Sequence, residues 1–143
     1  MTGGCAAWGR RAAAAVAAAA CSAAAGCGTP SPDIFVIERS GADRNANLEL
    51  LVSDGGSVRC DGEEHVLDAE RLLTARRLQR DLVPQAELGL TLPPGPGSLL
   101  SYRVEMEGGT IAFSDRSAEL PQTFQRLAAF TTDVAERVCG IER

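Results

Sequence analysis

Residues 100–114 read LSYRVEMEGGTIAFS, and this stretch decides the fold class. Leu100, Tyr102, Val104 and Met106 alternate with Ser101, Arg103, Glu105 and Glu107, the period of two expected of a half-buried strand. Gly108-Gly109 supplies a tight turn. Ile111 and Phe113 then face the same core, with Thr110, Ala112 and Ser114 turned outward. A hairpin of this kind needs a partner layer for its apolar face, and the rest of the chain has to provide it.

An earlier hairpin precedes it. Residues 33–40, DIFVIERS, are rich in Ile, Val and Phe and read as a strand. Leu48, Leu50 and Val52 alternate with Asn47, Glu49 and Ser53, although Leu51 breaks the polar face. Asp54-Gly55-Gly56 turns the chain into SVRC, where Val58 and Cys60 point the same way. A helix follows, with Asp68 as N-cap, Glu70 at its positive end and an apolar side of Leu72, Leu73, Leu78 and Leu82; Pro84 is expected to end it. The dense run Pro93-Pro94-Gly95-Pro96-Gly97 reads as a loop. Pro121 opens a last helix whose Phe124, Leu127, Ala128, Thr131, Val134, Ala135 and Val138 share one side. The order β-β-β-α-β-β-α predicts an α+β domain: an antiparallel sheet of about five strands with two helices on one face.

The N-terminal third has another logic. No acidic residue occurs before Asp33; Arg10-Arg11 precede an alanine-rich run that stops at Ala25. That run is shorter and less apolar than the ~20 residues of a membrane span, and it reads as an export signal over residues 1–26. Gly28-Thr29-Pro30-Ser31-Pro32 has the composition of a tether. Between them, Ala24-Ala25-Gly26-Cys27 resembles the lipobox of bacterial lipoproteins. The resemblance implies that Cys27 is diacylated and becomes the new N-terminus, two chains being what stable anchoring takes. It departs from the pattern at Ala24, where leucine is usual, so ordinary cleavage after Ala25 and secretion stay open. Cys21 is a poorer rival site. The all-arginine basic set, with no lysine, and the alanine richness resemble actinobacterial lipoproteins. Residues 27–33 are then the lipidated cysteine and tether, and 34–143 one domain.

Removing residues 1–26 leaves 117 residues with 12 arginines against 19 acids, a formal net charge of −7. An acidic domain without a basic patch repels phosphate backbones, which argues against nucleic acid as a partner. With Cys5 and Cys21 removed and Cys27 acylated, Cys60 and Cys139 remain. They are expected to form a disulfide in an oxidising compartment, two buried free thiols being the alternative.

Catalytic signals are sparse. His65, within CDGEEHVLD, is the single histidine, and a solvated loop is its expected place. Asp61, Glu63, Glu64 and Asp68 surround it without zinc or EF-hand spacing. The chain has neither a G-x-S-x-G elbow nor a phosphate-binding G-x-x-x-x-G-K-[ST] loop, so no enzyme, metal or cofactor is implied. Binding is the expected role. The candidate surfaces are the corner Arg39-Ser40-Gly41, the loop around Pro94, Gly95 and Pro96, and the open sheet face of Arg59, Arg103, Glu105 and Ala112.

The stretches FVIERSG and YRVEMEGGTIAFSDRSAELPQTFQRLAAF together resemble emfourin-type proteins, small bacterial inhibitors of thermolysin-like metallopeptidases. Shared features are the strand ending in Arg39-Ser40-Gly41, the hairpin from Tyr102, Asp115, and Pro121 opening a helix with Leu127. The cysteine pair, the lipid anchor and residues 54–61 depart from that pattern. The expected function is therefore a membrane-anchored, extracytoplasmic, non-enzymatic binding module, with inhibition of a secreted metallopeptidase as the alternative. The expected partners are the membrane, through Cys27, and an envelope protein or secreted peptidase.

Overall fold

Alternating burial organises the chain into a sheet, and a computed structural model describes it over residues 32–141. The elements are β1 (Asp33–Gly41), β2 (Leu48–Ser53), β3 (Ser57–Cys60), β4 (Glu63–Val66), α1 (Ala69–Glu87), β5 (Leu100–Met106), β6 (Gly109–Ser114) and α2 (Gln122–Arg137). One six-stranded sheet in the order β4-β3-β2-β1-β5-β6 results, with every strand pair antiparallel. Its inner face, carrying Phe35, Ile37, Leu50, Val52, Val58, Val104 and Ile111, packs against α1 and α2 in one core. The fold is α+β, as the two hairpins and two amphipathic helices require.

Six strands stand where about five are expected. The additional one, β4, follows Cys60 through Asp61-Gly62, both with positive φ (48° and 91°), the geometry of a tight type I′ turn. Its residues Glu63, Glu64 and His65 lack apolar alternation because β4 is the edge of the sheet, where charge discourages further pairing. His65 therefore lies in a strand opposite Val58, half-buried, and not in a loop.

Two further expectations are corrected around α1. The helix continues through Pro84 to Glu87. Pro84 is exposed, so the carbonyl it deprives of a helical partner can meet water. The chain leaves the helix at a Gly89 cap, where Leu90 N–H donates to Gln85 O (3.0 Å) and Gly89 N–H to Ala86 O (2.9 Å). The buried stripe is Ala75, Leu78, Leu82 and Ala86, whereas Leu73 is 49% exposed. At the other end Asp68 caps the helix by accepting from Arg71 N–H at 2.9 Å. Its carboxyl is held below the ordinary range first by that bond and then by the Arg71 guanidinium. Arg71 also donates to Asp133 of α2 at 2.7 Å, which ties the helices together and holds the guanidinium still more firmly protonated.

The expected disulfide is present, joining Cys60 to Cys139 with Cα atoms 6.0 Å apart. Leu90–Leu92 adds a short parallel rung beside β6, with Ala112 N–H donating to Leu90 O and Leu92 N–H to Ala112 O. Ser114 is on the outer side as expected but buried, its hydroxyl 3.1 Å from that of Ser101. The expected signal segment, Cys27 and most of the expected tether lie outside the described residues.

Candidate binding site at the end of β1

The corner Arg39-Ser40-Gly41 splits between two faces, because successive strand residues point to opposite sides. Arg39 is in phase with Phe35 and Ile37 and points inward, only 6% exposed, opposite Leu48 on β2 and Tyr102 on β5. Ser40 points outward and lines a shallow groove of about 380 Å3 with Pro94, Leu92 and Glu38. Gly41 lets the chain turn under residues 99–100. A Cβ there would sit 2.6 Å from Leu99 O and 2.8 Å from the Ala46 Cβ, so glycine is a packing requirement.

Beyond Gly41 the chain folds back over Arg39. Ala46 N–H closes a turn onto Asp43 O (3.0 Å), and Gly41 N–H donates to Asn47 Oδ1 (3.2 Å). This brings two carbonyls to the guanidinium: Nε donates to Ala46 O at 2.8 Å and Nη2 to Asn45 O at 3.0 Å. Both partners are neutral. No carboxylate of the described residues lies within ion-pair distance of Arg39. Among those residues, Ser98 Oγ is the one side-chain nitrogen or oxygen that is buried without a hydrogen bond. Arg39 also lines an open space beside this turn.

That space is a cavity of about 460 Å3 at the end of the sheet. Residues 43–46 form one wall, and Leu99, Leu100 and Asp115 the other. Asp115 fixes the second wall by accepting from Leu99 N–H at 3.1 and 3.3 Å, while its own N–H donates to Leu100 O. Leu99 remains 63% exposed at the rim. Sequence reasoning singled out Arg39, but Leu99 and the 43–46 wall were missed. Their signals are a large apolar residue just before a strand and a short polar connection after Gly41.

The other expected surfaces are less concave. In the proline loop, Gly95 packs so closely on Arg116 that a Cβ would lie 1.7 Å from its carbonyl oxygen, while Pro94 and Pro96 are exposed. Arg103 on the outer sheet face is occupied by Glu105 (2.6 Å) and Glu38 (3.9 Å). His65 has Glu63 as its acidic neighbour at 3.9 Å, and Asp61 is engaged by Glu49 N–H. The acidic residues around His65 are not gathered: no group of three or more potential metal ligands occurs among the described residues.

No protein-family model matches the chain, and no curated protein or solved structure matches it.

Proposed function

We propose that the chain is an extracytoplasmic lipoprotein, held to the membrane by acyl chains on Cys27, that works as a non-enzymatic binding module through the Arg39 corner. The observation that carries this reading is the end-to-end layout of β1. The tether enters the domain at Asp33, where Asp54 N–H donates to Pro32 O. Arg39 lies six residues further along the strand, about 20 Å at ~3.3 Å per residue. A domain anchored through residues 27–33 thus presents the cavity at its far end. The Cys60–Cys139 bond supports an oxidising location. The test of anchoring is fractionation of cells making Cys27→Ser: release into the soluble fraction is expected, and undiminished membrane retention contradicts the reading.

A second reading, inhibition of a thermolysin-like metallopeptidase, draws on the same end of the molecule, where Ser40 and Pro94 line one groove. Its test is titration of such a peptidase with the protein. Near-stoichiometric loss of activity, reversed by substitutions at Ser40 and Pro94, would place it first; full activity at excess protein removes it.

A further inference from the structure

We infer that the Arg39 cavity takes a monocarboxylate with an apolar body, its carboxylate on the Arg39 guanidinium and its apolar part against Leu99 and Leu100. This inference rests on the reading of the corner as the binding surface.

Charge is the first argument. A buried cation is stable when an anion or several hydrogen bonds replace its hydration. Arg39 lines the cavity, its hydrogen-bond partners are two neutral carbonyls, and no carboxylate of the described residues pairs with it. Arg44, on the same wall and exposed, makes no ion pair among the described residues and offers a second cation to the same anion.

The second argument selects the anion. Asp43 and Asp115 share the cavity with the two arginines. The two arginines and two carboxylates cancel, so a doubly charged phosphate leaves twice the excess negative charge that a monoanion does, and the single charge is the less repelled. Guanidinium groups also match carboxylates geometrically.

The third concerns the rest of the ligand. Ala46, Leu99 and Leu100 give the cavity an apolar part, and about 460 Å3 is room for far more than a lone ion. It falls in the range of small-molecule sites, roughly 300 to 1,000 Å3. An N-acylated amino acid or the C-terminus of a peptide ending in an aliphatic residue has the required shape and charge.

The experiment is an NMR titration of the 15N-labelled processed protein with N-acetyl-leucine, N-acetyl-leucinamide and inorganic phosphate. N-acetyl-leucine is expected to shift the amides of Ala46, Leu99 and Leu100 saturably, with a dissociation constant of order 1 mM for so small a probe. The amide analogue should bind at least about tenfold more weakly, the loss expected when a charged hydrogen-bond acceptor is removed. Arg39→Gln should weaken N-acetyl-leucine similarly. Because Arg39 also holds residues 45–46, Leu99→Asp at the exposed rim is the second variant: it leaves the guanidinium in place and should abolish binding by repulsion. Equal binding of the two leucine probes, or preference for phosphate, overturns the carboxylate while leaving the corner as a binding surface. No shift at these amides with any probe overturns the inference, and crosslinking from position 99 then judges the surface separately.

Discussion

Cys60, on the inner face of β3, is bonded to Cys139, 79 residues later and just beyond α2. Cys60 belongs to the row Ile37–Leu50–Cys60, next to the row of Arg39 and Leu48. The bond therefore fixes the end of α2 to the same end of the sheet as the cavity. Closing a loop of this length restricts the unfolded chain by roughly 4 to 5 kcal/mol in the loop-entropy model. The double variant Cys60→Ser/Cys139→Ser is expected to lose about 2–5 kcal/mol of stability in urea unfolding. A loss below 1 kcal/mol would contradict this role.

Gly41→Ala tests the packing under the cavity. Its Cβ would press on Leu99 O and the Ala46 Cβ, and relief requires the two walls to part. A destabilisation of about 1–3 kcal/mol is expected, the usual range for overpacking. The amides of Ala46 and Leu99 should move most in the NMR spectrum. An unchanged melting temperature with unchanged shifts would show that the walls are not in contact.

Pro84→Ala is expected to stabilise. It restores an N–H able to bond the Arg80 carbonyl within α1, at an exposed position where no packing is lost. Part of the gain is offset by the greater freedom of the unfolded chain, so an increase of about 1 kcal/mol is expected in urea unfolding. A decrease would mean that the proline fixes the helix end.

Asp68 supplies a pH signature. Its carboxyl is held below the ordinary value of 3.8 by the Arg71 N–H and then by the Arg71 guanidinium. The folded state binds this proton less readily than the unfolded chain. The associated stability is therefore complete above the ordinary value and is lost as pH falls through the lower folded value. Asp68→Asn keeps a capping oxygen but removes the charge. Its melting temperature should lie below that of the native protein at neutral pH, and the gap should narrow as pH falls below about 4. A gap independent of pH between 7 and 2 would refute this assignment.

Much of the fold was legible because burial in a two-layer domain imposes simple periods. Leu100 to Phe113 alternate cleanly since one face is core and the other faces water. β4 escaped that rule because an edge strand needs little apolar character, although Asp61-Gly62 carried its turn signal. Pro84 misled because helix termination depends on where the freed carbonyl points, and an exposed last turn tolerates it. At the site, the phase of Arg39 with Phe35 and Ile37 was readable and places it inward. Its neighbours were not. The return of residues 43–46 over the guanidinium is a local loop conformation, set by backbone carbonyl bonds to Arg39 six and seven residues back, that composition does not dictate. The approach of Leu99 arises from contacts between segments distant in sequence.

The most direct test of the proposed binding surface is site-specific photocrosslinking of the full-length protein in its own cells, with the photoreactive residue at position 99 or at position 66. Leu99 marks the rim of the Arg39 cavity, and Val66, 86% exposed, marks the far edge of the sheet. A discrete adduct from position 99, absent from position 66 and lost when Arg39→Gln is added, is the predicted result. Adducts from position 66 alone, or none from position 99, would contradict the assignment of binding to the end of β1.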